Sequence, residues 1–161
     1  MVFVILGTQK FQLNRLLRLL DEGAGNGLIS DEIVAQTGYS DYIPKNIICH
    51  RFLEKEDFES YISKADVVVS HSGVGSIMTA LKKGKPVVVF PRLAKYGEHV
   101  DDHQIEIART FAEKGYLLMC GENDDLLSLI ERAGKYTFNE YVSQTDRIIE
   151  MIEGFLQKEF G

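Results

Sequence analysis

The stretch from Ala65 to Leu81 constrains the fold more than any other part of the sequence. It begins with an apolar, β-branched run, passes through the small-residue turn S-G-V-G-S at 72–76, and ends in a helical pattern. The run predicts a strand buried on both faces of a parallel sheet, followed directly by a helix. The first turn of such a helix directs unpaired backbone N–H groups, and the positive end of its dipole, at an anion. The stretch therefore predicts a phosphate site.

Strand-like and helical patterns alternate along the rest of the chain. Strands are predicted at 2–6, 29–37, 46–52, 86–90 and 116–120, and helices at 13–22, 54–63, 100–114, 122–133 and 141–160. This alternation is typical of an α/β fold with a Rossmann-like, mostly parallel, doubly wound sheet. Since no linker or repeat interrupts it, residues 1–161 are expected to form one domain.

Ligands of such sheets bind beyond the carboxyl ends of the strands. The loops at 7–11, 52–54, 71–76 and 91–104 follow strands, so we expect them along one edge, around one ligand.

Composition limits the partners and the compartment. The net charge of −6 argues against a general nucleic-acid-binding protein. No apolar run approaches the roughly 18 residues of a membrane span, and Met1 leads straight into a strand, so a cytoplasmic protein is expected. Cys49 and Cys120 lie in apolar, strand-like runs and are predicted to be buried, reduced thiols.

The glycine turn does not fit the common nucleotide fingerprints. Met78 stands where a nicotinamide-binding turn has its third glycine, and the next strand ends in Pro91-Arg92 instead of an acidic residue for a ribose. No Gly-Lys-Ser/Thr sequence of a nucleoside triphosphatase follows either. A diphosphate held by backbone amides and hydroxyls remains, with a plain tight turn as the alternative.

Several segments carry distinctive motifs: 66–76, G-K-P-V-V-V-F-P at 84–91, D-H-Q at 102–104, and the pairs at 107–108 and 115–116. Together these segments resemble the donor-binding half of GT-B glycosyltransferases, most closely the family 28 C-terminal domain. Members that stop at one domain are subunits of split transferases, either of eukaryotic N-glycan synthesis or of bacterial exopolysaccharide and capsule synthesis. The segments 38–42 and 97–104 resemble the bacterial group. In both groups a separate, membrane-anchored protein carries the acceptor half.

The resemblance implies a role for individual residues. The phosphates of a UDP-sugar would contact Gly7, Thr8, Ser72, Gly73, Gly75 and Ser76. Phe52 would pack against the uracil, with ordinary core packing as the alternative. Asp102, His103 and Gln104 would belong to the donor-binding set, the last two at the sugar. His71 would be either a hydrogen-bond donor to phosphate or a structural histidine.

The general base and a metal ion are separate questions. Glu98 and His99 are the candidates for the base that takes the acceptor's proton, although each also fits a solvated loop charge, and the base can lie on the acceptor half. His99 and His103, four residues apart with two aspartates between them, suggest a metal site if they share a helix. The resemblance implies that no metal and no cofactor is needed, since the UDP-sugar is itself the donor substrate.

The sequence thus predicts a donor-binding catalytic subunit of a two-component inverting glycosyltransferase. It would move a hexose, with galactose favoured, from a UDP-sugar to a lipid-linked sugar in polysaccharide repeat-unit assembly. The expected partner is a membrane-anchored acceptor-half subunit that recruits the chain to the inner membrane face, and the isolated chain can form a homo-oligomer. The alternative is a non-catalytic, nucleotide-sugar-binding regulatory subunit of such a partner.

Overall fold

The fold is an open parallel sheet with helices on both faces. The computed structural model describes the backbone of residues 1–141 and 145–160, with side chains for 1–141 and 151–158. The strands are β1 (Val2–Ile5), β2 (Ile33–Gln36), β3 (Ile48–His50), β4 (Val67–Ser70), β5 (Val87–Val89) and β6 (Leu118–Met119). Their order is β3-β2-β1-β4-β5-β6 and every neighbouring pair is parallel. The predicted Rossmann-like doubly wound sheet is confirmed.

Helices follow the strands as the sequence pattern predicts. They are α1 (Asn14–Gly25), α2 (Lys55–Lys64), α3 (Val74–Lys82), α4 (Gln104–Glu113), α5 (Leu126–Lys135) and α6 (Thr145–Phe160), with a short 3-10 helix at Ala94–Tyr96. Helix α5 begins later than expected because Asp125 accepts a hydrogen bond from the Leu127 N–H and so fixes the start. Helix α4 begins at Gln104, which leaves 100–103 outside it. None of the described helices is long and apolar enough to cross a bilayer.

The sheet separates two hydrophobic layers. Alternate residues of β1 point to opposite faces, so Val2 and Val4 pack with α1 and α5, whereas Phe3 and Ile5 pack with α2, α3 and α4. Met151 and Phe155 of α6 also pack on the second layer. Strands β1, β2, β4 and β5 are buried along their full length, as expected for parallel strands covered on both faces.

The prediction for the two cysteines is half right. Cys120 is buried, and burial raises the pKa of its thiol to about 11. The prediction that Cys49 is buried is wrong, because Cys49 is exposed on β3. Strand β3 lies at the edge of the sheet and is covered by one neighbour only, which the local apolar pattern does not reveal.

Candidate functional site

A cavity of about 390 Å³ opens at the carboxyl ends of β1, β2 and β4. Its lining comes from each of the loops expected at this edge, together with helix α2 and the end of β2. The lining residues are Gly7, Thr8, Gln9, Gln36, Leu53, Phe58, His71, Gly73, Val74, Gly75, Ser76 and Gln104. The strand register explains the convergence, since Ile5 pairs with both Gln36 and Ser70 and so aligns the three strand ends.

His71, the residue after β4, is wedged between two glycines. A Cβ atom on Gly73 would lie 2.1 Å from His71 Cε1, and one on Gly7 would lie 2.7 Å from His71 Nε2. Neither position has room for a side chain beside the ring, and Gly7 also has a φ of +82°. These two glycines therefore accommodate the histidine, a role beyond the phosphate contact that the resemblance implies.

The hydrogen bonding of His71 sets its protonation. Its Nδ1 accepts the Gly73 backbone N–H at 3.1 Å, so the neutral ring carries its proton on Nε2. Burial is the main cause that lowers the pKa of His71 to about 3, and the electrostatic effects of Arg92 and His99 contribute to the same shift. His71 is thus a neutral ring at physiological pH, suited to donating a hydrogen bond from Nε2 and too weakly basic to serve as a general base.

The glycine turn places the start of α3 in the cavity wall. Since α3 begins at Val74, the backbone N–H groups of its first turn have no partner within the helix. Gly75 leaves open space, as nothing lies within 4 Å of where its Cβ would be. Ser76 also lines the cavity, whereas Ser72 is buried outside the lining, with a hydroxyl that has no hydrogen-bond partner among the described atoms.

The three residues of the D-H-Q segment at 102–104 have different surroundings. Asp102 accepts a hydrogen bond from the Ala94 N–H at 2.9 Å, and the His103 ring packs edge-on against Phe155 of α6. Of the three residues, only Gln104 lines the cavity. Its Oε1 atom is buried and lacks a hydrogen-bond partner among the described atoms, an arrangement that normally costs free energy unless a ligand supplies the partner.

Phe52, the aromatic residue expected to pack against the uracil, has an exposed side chain. Phe52 is 48% exposed and contacts Tyr39 edge-on, so core packing is wrong for this side chain, and the cavity lining does not include it. Leu53 and Phe58 line the cavity near it. The lining residues that sequence reasoning did not name are Gln9, Gln36, Leu53, Phe58 and Val74. Gln36 had a usable signal, because it is a polar residue at the carboxyl end of a buried strand.

Glu98 is a buried structural carboxylate. It is 1% exposed, accepts hydrogen bonds from Arg15 Nη2 and the Leu93 N–H, both at 2.9 Å, and accepts a third from Arg15 Nε. The expectation of a solvated loop charge is wrong for this residue. It lies outside the cavity lining, and its carboxylate already accepts three hydrogen bonds, so the geometry does not offer Glu98 as the base.

A buried arginine that the sequence did not single out holds the neighbouring loops together. The Arg92 guanidinium donates to the backbone carbonyls of Leu6, Phe11, Gln12 and Glu98. Burial lowers the pKa of Arg92, and the Glu98 charge opposes that shift. Arg92 thereby joins the loop after β1 to the loop after β5, and its charge lies close enough to act on His71.

His99 packs away from the cavity. Its ring lies 5.0 Å from that of Phe11, and its Nδ1 accepts the Asp101 N–H at 3.4 Å. Because α4 begins at Gln104, His99 and His103 do not share a helix, and that premise of the metal hypothesis is wrong. Within the described part of the chain, no three His, Cys, Asp or Glu side chains converge on one point.

Comparison with known families decides what kind of domain this is. The model of the glycosyltransferase family 28 C-terminal domain matches residues 1–140. The chain belongs to this family. Solved GT-B glycosyltransferases share the fold of this family 28 domain: the kitacinnamycin glycosyltransferase, at TM-score 0.65 and 21% identity, aligns with 84% of this chain and 35% of its own. CalG4, the calicheamicin glycosyltransferase, reaches 0.62 and 17% over 84% of this chain and 34% of its own.

Curated relatives of this family 28 domain carry the name UDP-N-acetylglucosamine transferase subunit ALG13. The Yarrowia lipolytica protein is 33% identical over 100 residues, which are 60% of this chain and 48% of that protein. The human protein is 30% identical over 95 residues, 56% of this chain and 8% of that protein. The matched region thus spans about half of the first relative and a small part of the second.

Proposed function

We propose that this chain binds the UDP-sugar donor as the catalytic subunit of a two-component inverting glycosyltransferase. The observation that carries the proposal is the composition of the cavity at the carboxyl ends of β1, β2 and β4. It brings together the first turn of α3, the His71 ring and the unpartnered Gln104 Oε1. The first two suit a diphosphate, and Gln104 suits a sugar hydroxyl, which can donate to the free oxygen.

In this proposal, the acceptor hydroxyl attacks the anomeric carbon while the bond from that carbon to the diphosphate oxygen breaks. The proton of the hydroxyl passes to a general base, and UDP leaves with the bonding electron pair. The leaving diphosphate gains negative charge next to the first turn of α3 and the Nε2–H of His71, and preorganised donors of this kind lower the barrier. No metal ion is required for that stabilisation, and no cofactor takes part.

We propose that the general base, which takes the acceptor's proton, comes from the acceptor half on another chain. The Glu98 carboxylate already accepts three hydrogen bonds, and His99 packs on Phe11 outside the cavity lining. The curated relatives are named as transferase subunits, which supports a division of labour between two proteins. We propose that a membrane-anchored partner carries the base, binds a lipid-linked sugar and recruits the cytoplasmic chain to the inner membrane face.

Two sugars compete as the transferred group. The names of the relatives favour N-acetylglucosamine, and the likeness of 38–42 and 97–104 to bacterial polysaccharide subunits favours galactose. Calorimetry with UDP, UDP-glucose, UDP-galactose and UDP-N-acetylglucosamine separates them, since the true donor should bind more tightly than the others. Absence of binding by all four would refute the proposal.

A variant pair tests the sugar contact. Gln104→Ala removes the unpartnered amide, so it should weaken the UDP-sugar by about tenfold while changing the affinity for UDP much less. Gln157→Ala, on an exposed position of α6, is the matched control and should change neither affinity. Equal weakening of UDP and UDP-sugar would contradict the assignment of Gln104 to the sugar.

Transfer is tested with the chain reconstituted with its membrane-anchored partner and a lipid-linked sugar acceptor, with and without EDTA. Turnover should need both proteins and should survive EDTA. Gln104→Ala should lower turnover in the pair. If turnover is unchanged by that variant, the chain is a non-catalytic regulatory subunit, which is the second candidate function.

A further inference from the structure

Gln36 is the buried polar side chain in the cavity that the proposed mechanism does not use. It is the last residue of β2, it is 4% exposed, and its Oε1 accepts the Leu53 backbone N–H at 2.9 Å. That bond fixes the amide orientation, because the amide nitrogen has no lone pair to accept from a backbone N–H. Among the described residues, none accepts a hydrogen bond in return from the Gln36 Nε2 group.

The surroundings of Gln36 differ from those of the phosphate turn. Leu53 and Phe58 line the cavity with it and supply apolar surface. Gln36 pairs with Ile5, which in turn pairs with Ser70 before the turn, so Gln36 lies two strands from the phosphate end. Two strand spacings are about 10 Å. The cavity therefore has an anion-binding end at α3 and, across the sheet, an apolar end with one fixed N–H donor group.

This polarity matches the two ends of a nucleoside diphosphate. A ribose separates the base from the phosphates, so a diphosphate at the α3 turn leaves the base directed toward β2. Leu53 and Phe58 offer contacts to the face of a planar ring, and the Gln36 Nε2 group offers hydrogen bonds to its edge. On a pyrimidine, the edge farthest from the ribose carries an O4 acceptor in uracil and thymine, and an N4 amino donor in cytosine.

We infer that Gln36 is the specificity-determining residue for the base and donates from Nε2 to the O4 oxygen of uracil or thymine. Cytosine would present an amino group to the amide N–H groups, so two donors would face each other and remain unpaired. Leu53 contributes twice, through its backbone N–H, which orients Gln36, and through its side chain in the cavity wall. This inference rests on the proposed UDP-sugar function and assigns the base recognition within it.

Calorimetry on the unmodified chain gives the first test. The ligands are UDP, dTDP, CDP and the diphosphate of the 2-pyrimidinone riboside, which lacks O4. UDP should bind at least about tenfold more tightly than CDP and the 2-pyrimidinone analogue, the usual effect of one hydrogen bond and its unpaired counterpart. Uracil and thymine both carry O4, so the inference predicts an O4 contact with either base. Comparing the affinities for UDP and dTDP shows which of the two bases the site prefers. Equal affinity for UDP and the 2-pyrimidinone analogue overturns the inference.

The variant Gln36→Glu gives the second test. A carboxylate retains the acceptor for the Leu53 N–H but replaces the amide N–H groups with an oxygen, which favours the amino group of cytosine. The ratio of CDP to UDP affinity should therefore rise by at least about tenfold. Gln9→Glu places the same charge on the same cavity and is the matched control, expected to weaken both nucleotides by the same factor.

The outcomes separate the inference from the proposed function. An unchanged CDP to UDP ratio in folded Gln36→Glu overturns the role of Gln36, even when the unmodified chain binds UDP. Failure of the unmodified chain to bind any of the diphosphates refutes the proposed function and the inference together. If Gln36→Glu does not fold, as judged by thermal unfolding, the ligand series on the unmodified chain decides.

Discussion

The buried His71 predicts a specific loss of stability in acid. Its pKa is lowered to about 3 by burial, with contributions from Arg92 and His99, against an ordinary value of 6.5 in the unfolded chain. Between pH 6.5 and pH 3, the histidine binds a proton in the unfolded chain but stays neutral in the native chain. The contribution of the neutral ring is therefore complete above pH 6.5 and is lost as the pH falls toward 3.

The size of the effect follows from linkage. Each pH unit within this window costs up to about 1.4 kcal/mol of unfolding free energy. Lowering the pH from 7 to 5 should therefore remove about 2 kcal/mol through His71 alone, a large share of the roughly 5–15 kcal/mol that stabilises a typical domain.

Urea unfolding of the unmodified chain and of His71→Asn measures this contribution. An asparagine side chain retains an acceptor for the Gly73 N–H and does not titrate. Its packing loss is the same at both pH values and cancels in the comparison. The unmodified chain should lose about 2 kcal/mol more than the variant between pH 7 and 5. Between pH 8 and 7 the two should respond in parallel, which is the internal control, and a parallel response between pH 7 and 5 would refute the reasoning.

Three further predictions concern the residues around the cavity. Gly75→Ala should preserve or slightly raise the unfolding free energy, because the added Cβ meets open space inside a helix. The same variant should weaken UDP binding in calorimetry, because the proposed site needs the backbone to approach phosphate closely at this position. Glu98→Gln should lower the unfolding free energy by about 2 kcal/mol through the weakened Arg15 pair, yet leave the pH profile of turnover unchanged. Loss of the acidic limb of that profile in the variant would restore Glu98 as the base. Arg92→Met should cost about 3 kcal/mol in urea unfolding because four backbone carbonyls lose their donor, whereas the exposed Arg109→Met should cost less than about 0.5 kcal/mol.

The strands and helices could be predicted from the sequence because each is encoded by a pattern of neighbouring residues. A β-branched run such as 67–70 followed by a glycine turn predicts a strand and a helix start from a few adjacent residues. The same reasoning placed the four loops at one edge, since parallel strands connected by helices present their carboxyl ends together. The general position of the cavity therefore followed from the sequence, as did several of its residues.

Contacts between residues far apart in the sequence could not be predicted from such local patterns. The surroundings of Glu98 depend on Arg15, and those of Arg92 on the carbonyls after β1, more than 75 positions away in both cases. No periodicity reports such a pair, so a buried carboxylate looked like a loop charge. The exposure of Cys49 likewise depends on strand order, which puts β3 at the edge, and strand order is decided by packing.

The sequence by itself therefore determined the alternation of strands and helices, the glycine turn before α3 and the edge of the sheet at which the cavity opens. Tertiary structure decided which side chains line that cavity. His71 is neutral because it is enclosed beside Arg92, and Gln36 presents its amide nitrogen because Leu53, 17 residues further along, occupies its oxygen. Burial and hydrogen-bond pairing set the charge and direction of a polar group, and both arise only when separate segments of the chain come together.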